Sequence, residues 1–493
     1  MENNNKIKKT KGNARIPSLF IFAAILVLQL SACSDAAVND TVTTQSELKE
    51  TGTTEITTTW LDYNLPNSDY EGAAFNIIAG AEESKELYFV ESETGEVLDD
   101  AVYKRNLTIE ERFNVNLNYS FETALSDGMT AFHKKLTNSI TAGDSEYDLV
   151  ISLPDITSLV VKGYFKNLNS LPYLDFEQPW WFTEANRNLS ILGKLYTTAG
   201  TYSVYSLKDS WAVAFNKKVA ENYNIESIYD NVNNNKWTVD KLLELGRLAT
   251  SDLDGDGNHD ENDAWGLLAG SLAQQNIPYC TGIRHITMDG DGFPSLVGAS
   301  ERTVNIFDKL YNLFINSGIC FGGNNNLLIF TSDNALFFMT TLWALDSMRD
   351  VEDFGIVPIP KADELQETYL STNEPELFLI PISVRDEEMS ALILEGLNAE
   401  SYRTVNPVYY DTVLSRKYAR DEDSLEMLDI IFGNITSDII MLYRMGIDPF
   451  YNVFRTDIIF NSGSFDYVSF WSKNESTVQR SLDKLVQQYD EMD

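Results

Sequence analysis

The chain has 493 residues, 43% hydrophobic and 12% aromatic, with 74 Asp and Glu against 37 Lys and Arg. That aromatic content excludes a disordered acidic tail, and the length is enough for two domains with full cores. A net charge of −37 repels phosphate backbones and anionic lipid surfaces, which argues against nucleic acid as a partner.

Residues 1–32 are expected to be a secretory leader. Lys6, Lys8, Lys9, Lys11 and Arg15 form a basic region, and residues 19–28 are an apolar run too short to span a bilayer. The run ends in Leu30-Ser31-Ala32-Cys33, which resembles the bacterial lipobox. The resemblance implies that the Cys33 thiol takes a diacylglyceryl group and that Cys33 begins the mature chain, held by acyl chains at the outer face of the cell membrane. An ordinary leader with an incidental cysteine is the alternative. Residues 33–69 then read as a tether, rich in Thr, Ser and acids over 34–58 and without apolar period. Two other cysteines, Cys280 and Cys320, are expected as buried free thiols, although an exported chain could pair them.

An α/β rhythm follows. Residues 75–79 (FNIIA) predict a short buried strand, 96–113 a helix, 115–119 a strand, 128–141 an amphipathic helix and 147–152 (YDLVIS) another strand. Strands alternating with helices of this length predict a parallel sheet. Further on, Thr238 reads as the N-cap of a helix with Val239, Leu242, Leu243, Leu245 and Leu248 on its apolar face. Helical spacing returns at 422–432 and 476–489.

Behind the Thr238 helix stands an acidic loop. Asp252, Asp254 and Asp256 alternate and Gly257 follows, the spacing of an EF-hand calcium loop. A hard divalent cation wants six to eight oxygens, and carboxylates converge only where the chain turns sharply. Asn258 would offer a carbonyl, Asp260 falls at the ninth position and Asp263 at the twelfth, where a shorter Asp replaces Glu. A solvated acidic turn is the alternative. The EF-hand pattern lacks its second helix, so the expectation is structural Ca2+ pinning the end of the helix, away from any ligand site.

The succession of motifs resembles the extracellular solute-binding proteins of ABC importers, carbohydrate type. It runs from YDLV at 147–150 through Gly163-Tyr164-Phe165, Gly193-Lys194-Leu195-Tyr196 and Asn216-Lys217 to Asp333-Asn334-Ala335-Leu336 and Phe354-Gly355-Ile356-Val357-Pro358. The resemblance implies an α/β, two-lobed periplasmic-binding-protein-like fold of type II, each lobe a sheet flanked by helices, with ligand held between the lobes. It places lobe one at 70–205 and 355–400, and lobe two at 206–354 and 401–493, with crossings near 202–207, 354 and 401–407. It implies a monomer that captures a sugar or oligosaccharide and hands it to a permease.

A sugar pocket needs aromatic platforms and a few fixed polar groups. The resemblance ranks Trp343 first, after the LFFMT strand. Trp180 and Trp181 follow in an irregular loop, with Trp471 in the SFDYVSFW stretch before the last helix and Tyr205 and Asp209 near the first crossing. Asp155 follows the YDLVIS strand at the carboxyl end where α/β sheets bind ligands, unless it caps the next helix. All the aromatics have packing as their ordinary alternative. The three histidines, His133, His259 and His285, form no zinc motif, and neither a nucleophile elbow nor a phosphate loop occurs. The chain is therefore expected not to be an enzyme. A sensing or adhesive surface lipoprotein, or a secreted glycoside hydrolase, is the other reading.

Overall fold

Two sheets carry the architecture. The computed structural model describes residues 65–123, 127–323, 325–345, 348, 353–411, 422–443 and 466–492. The expected leader, Cys33 and all but the end of the tether lie outside the described residues. Residues from Asp62 onward form one compact unit.

Strands run in the order β1 (Ala73–Ala79), β2 (Val115–Phe121), β3 (Leu149–Ser152), β4 (Trp211–Asn216), β5 (Trp265–Leu268), β6 (Ile286–Met288) and β7 (Pro294–Leu296). Then come β8 (Cys320–Phe321), β9 (Ala335–Thr341), β10 (Phe354–Val357), β11 (Ser371–Thr372), β12 (Leu377–Leu379) and β13 (Ile435–Thr436). The first sheet has the order β12-β3-β1-β2, with β1 parallel to both β2 and β3 and β12 antiparallel to β3. The second is β10-β4-β9-β5-β8, where β5, β8 and β9 are parallel and β4 is antiparallel to β9 and β10. Strands β3, β4, β5 and β10 are buried along their whole length, which is why they read as unbroken apolar runs rather than alternating ones.

The parallel β1–β2–β3 set with its helices Val97–Phe113 and Asp127–Ala142 falls where the sequence places it. The lobe boundaries need correcting. β10 opens the second segment expected in lobe one, yet it is hydrogen bonded to β4 in the second sheet. Residues 358–361 stay there too, because Trp237 Nε1 donates to the Pro358 carbonyl and Val239 N to that of Lys361. The chain returns to the first sheet only between β11 and β12, about twenty residues after the expected crossing at 354. The expected crossing at 401–407 is instead the end of a continuous helix, Glu387–Val408, packed along Val97–Phe113. The C-terminal segments also straddle the lobes rather than covering lobe two alone. Asn188 Nδ2 donates to the Ser437 carbonyl, Tyr443 Oη to that of Leu189, and Lys194 Nζ to that of Tyr489.

The Thr238 helix forms as expected, with Thr238 Oγ1 accepting from Lys241 N, but Leu248 is 52% exposed and leaves the apolar face. Gly246 takes part in the packing instead. A Cβ on Gly266 of β5 would stand 2.3 Å from the Gly246 carbonyl oxygen, so helix and strand meet backbone to backbone. Cys280 and Cys320 are free thiols, and burial pushes both up to about 12.

One buried guanidinium ties three segments together. Arg105 is fully buried; Nη1 donates to the Tyr202 carbonyl at 2.8 Å and Nη2 to that of Tyr88 at 2.6 Å. Ser401 Oγ donates to the same Tyr202 carbonyl. Arg105→Met removes both charge-assisted bonds, leaving the carbonyls one donor each, Ser401 Oγ and Asn106 Nδ2, and is expected to cost about 3 kcal/mol in urea unfolding; a loss below about 1 kcal/mol would contradict the role.

Candidate functional site

The direction of the strands decides where a cleft can lie. Residues 202–210 leave the carboxyl end of the first sheet, where Tyr202 Oη meets Tyr119 Oη of β2 at 2.6 Å. They enter β4 at Trp211, which pairs with Thr341 at the carboxyl end of β9. The return passage, residues 373–376, ends at Leu377, which pairs with Ser152 at the carboxyl end of β3. Both crossings therefore join the carboxyl edges of the two sheets, and those edges face each other across the hinge. Ligands of open α/β sheets bind at such edges.

Three residues expected from the sequence gather there. Tyr205 and Trp343 are half-buried, with ring centroids 5.7 Å apart and planes at 57°. Lys208 Nζ, which no motif singles out, stands 4.3 Å from the Trp343 ring centroid. Asp209 Oδ2 accepts from Glu374 N at 2.9 Å, and Asn373 Nδ2 donates to the Ser206 carbonyl, so the two crossings are bonded to each other. Behind them Glu376 is buried, receiving Ser203 Oγ at 2.8 Å and the Tyr88 hydroxyl. Burial pushes its carboxyl well above the usual range. The opposite edge offers aromatics that no motif marks: Phe89, 42% exposed, lies 5.4 Å from Tyr119, which stacks on Phe121 at 5.8 Å.

Asp155 sits half-buried in the turn Pro154–Ile156 directly after β3, at the carboxyl edge as expected. The helix that follows starts from Ile156, which makes no side-chain cap bond.

The other tryptophans are corrections. Trp180 and Trp181 are 6% and 3% exposed, and their indole nitrogens donate to the two oxygens of one buried carboxylate, Glu395, at 2.8 and 3.0 Å. They are packing residues because two large indoles and a carboxyl satisfy each other against the Glu387–Val408 helix. Trp471 is not in a stretch before the last helix but inside it, since Asp466 caps a helix running Tyr467–Glu491. It is 5% exposed and stacks on His285 at 6.1 Å.

In the acidic loop, carboxylate oxygens of Asp252, Asp254 and Asp256 all lie within 4.8 Å of one another, a set that fits a hard cation. Every aspartate of the expected set also accepts backbone N–H bonds within the loop, Asp252, Asp254 and Asp256 included. Asp263 is buried, its two oxygens accepting from Leu253 N and Asp260 N, and these bonds hold its carboxyl below the usual range. Asp260 Oδ1 accepts from Asn262 N, and Asn258 Nδ2 donates to Asp256. The loop ends are clamped by paired Ser251–Ala264 backbone bonds. Glu261 accepts from Asn325 Nδ2, so the loop is tied to the segment that follows β8 instead of standing apart.

Two α/β lobes joined by hinge crossings, with a half-buried aromatic pair at the crossing, define a two-lobed binding protein. A model of the bacterial extracellular solute-binding proteins matches residues 91–367, more than half of the sequence, and the chain belongs to that family. Among curated proteins no sequence match is found. Solved structures match in fold. The galacto-N-biose/lacto-N-biose I-binding protein of an ABC transporter from Bifidobacterium longum aligns with a TM-score of 0.58 at 11% identity, covering 85% of this chain and 99% of that one. A sugar transporter protein from Rhizobium etli, in an open conformation, aligns at 0.55 and 14%, covering 86% and 100%. An ABC substrate-binding protein from Listeria monocytogenes in complex with cycloalternan aligns at 0.52 and 13%, covering 85% and 99%. Among the described residues no helix is long and apolar enough to cross a membrane.

The Glu395 clamp generates a pH dependence. Burial raises this carboxyl to about 7 against the indole and Asp175 N–H bonds that favour its anion. A carboxyl raised on folding stabilises most below its unfolded value, and that contribution is lost as pH rises through about 7. Between pH 5 and 8 the wild type is expected to lose about 2–3 kcal/mol more unfolding free energy than Glu395→Gln, read by urea titration at each pH; parallel profiles would contradict it.

Proposed function

We propose that this solute-binding protein captures a sugar or oligosaccharide in the cleft between its lobes and delivers it to an ABC importer permease. In this reading it works as a monomer, tethered through lipidated Cys33, and catalyses no reaction. The observation that carries the proposal is the Tyr205–Trp343 pair at the crossing with Lys208 over the indole. A flat apolar face flanked by fixed polar groups suits the C–H faces and hydroxyls of a sugar ring. The similar solved structures support it, since several are described with sugars bound.

Thermal unfolding with an oligosaccharide panel tests this. A bound sugar at 100 times its Kd is expected to add about 2.7 kcal/mol of stability. Trp343→Ala is expected to weaken that binding by about 1–2 kcal/mol without lowering the unliganded midpoint to match, as titration calorimetry would show. Undiminished binding by Trp343→Ala would remove the platform, and steady hydrolysis of any panel member would overturn the non-enzymatic reading.

The same reading gives the acidic loop a structural Ca2+, held by Asp252, Asp254 and Asp256, with Asp263 fastening the loop from behind. A modest site stays filled outside the cell, where calcium is plentiful. Asp254→Ala is expected to abolish the rise in melting temperature that calcium gives over EDTA. A wild-type chain that melts identically in both would refute the site.

A further inference from the structure

A cavity on one face of the first sheet stands apart from the hinge. That sheet runs β12-β3-β1-β2, so the chain moves outward from β1 to β2 and then back across β1 to β3. Right-handed crossovers in opposite directions put their helices on opposite faces, Val97–Phe113 on one and Asp127–Ala142 on the other. The Glu387–Val408 helix packs along the first of these. On the second face, Asp127–Ala142 and the short helix Thr157–Val160 after β3 border an open cavity of about 330 Å³. That volume suits a small ligand, and none of the crossing residues lines it.

Met129, His133 and Thr137 follow one another at helical spacing along one side of the cavity, and Ser158 and Leu159 come from the other helix. Met129 is half-buried and Leu159 buried, which makes part of the wall apolar. The charged residues that line it are Lys134 and Lys162, both exposed. Nearby lysines are neutralised, Lys135 by Glu122 and Lys166 by Glu387, each at 2.6 Å. Among the described residues Lys134 and Lys162 have no acid within ion-pair reach, in a chain of 74 acids and 37 bases. Burial holds the His133 imidazole below its usual value, with Asp155 acting upward and Lys162 downward, so the ring adds no charge near pH 7. Two ammonium groups without counter-ions beside an apolar wall fit an anion that carries a short carbon chain. Within a Debye length of about 8 Å those local charges outweigh the distant net charge. An anionic bilayer, by contrast, meets the whole field of −37 and is repelled, so a small free anion is the better occupant.

We propose that this cavity binds a small amphiphilic anion, its carboxylate or phosphate head on Lys134 and Lys162 and its alkyl chain against Met129 and Leu159. The hydroxyls of Thr137 and Ser158 line the same space and can donate to the head group. The site is separate from the cleft and stands whether or not the cleft takes a sugar.

The purified, unlipidated protein is titrated calorimetrically at fixed ionic strength with hexanoate, hexyl phosphate, hexan-1-ol and sulfate. Saturable binding of hexanoate or hexyl phosphate is expected, at least about fivefold tighter than that of hexan-1-ol or sulfate. Lys134→Gln and Lys162→Gln are each expected to weaken it about fivefold with an unchanged melting temperature, because both side chains are exposed. The chain has three histidines, and in proton NMR the His133 ring resonance is expected to move on binding while those of His259 and His285 stay. Sulfate binding as tightly as the alkyl anions, an adventitious ion only, overturns the site. Equal binding of hexan-1-ol overturns the anionic assignment. Undiminished binding in both lysine variants, or a His133 resonance that does not move, overturns the placement. Adsorption to phosphatidylglycerol vesicles without binding of either alkyl anion makes the surface a membrane contact and overturns the cavity, as does the absence of any saturable binding. Each of these failures leaves the carbohydrate reading of the cleft standing.

Discussion

A guanidinium taken out of water must be surrounded by acceptors, and Arg105 finds its acceptors where the two lobes join. Its carbonyl partners belong to Tyr88, in the loop after β1, and to Tyr202, at the start of the first crossing. Ser401 of the Glu387–Val408 helix shares the Tyr202 carbonyl and lies 3.3 Å from Nη1. The guanidinium also lies 4.8 Å from the centre of the Tyr202 ring. Moving any one of these segments would take a partner from a buried guanidinium, which is costly in a core. The crossing is thereby tied to the first lobe at Tyr202.

The segment after Tyr202, residues 203–210, is mostly polar and leads from the first sheet to β4 of the second. Ser203 is spent on Glu376, Ser206 on Asn373 and Asp209 on Glu374, so the two passages are laced by hydrogen bonds. Tyr205 and Lys208, the residues between those bonds, turn to Trp343. Within the hinge Asn373 Nδ2 is bonded while its buried Oδ1 has no partner, and the aromatic pair stays half-buried at the edge. One short segment thus holds the lobes and still offers a surface.

Much of the fold was legible because its signals are local. FNIIA, the 96–113 helix and YDLVIS carry their periods in their own residues, and the parallel sheet follows from their alternation. The Thr238 cap and the three aspartates of the loop are likewise spacing signals. Residues that act through distant partners were not legible. Trp180 and Trp181 look like platforms until Glu395, more than two hundred residues away, is seen to accept both indole hydrogens. Trp471 sat in an aromatic run without helical alternation, and only the Asp466 cap reveals the longer helix. The late return of the chain to the first sheet depends on β10 pairing with β4, a contact that no local pattern encodes. Lys208 and Phe89 had no spacing to mark them.

The central claim is that ligand occupies the facing carboxyl edges of the two sheets. Hydrogen exchange with and without a bound oligosaccharide tests it directly, since each backbone segment reports its own protection. New protection is expected in residues 203–210 and 341–345, with little change around Trp180 and Trp181 or Trp471. Protection centred on those buried tryptophans, or none at the crossings, would contradict it.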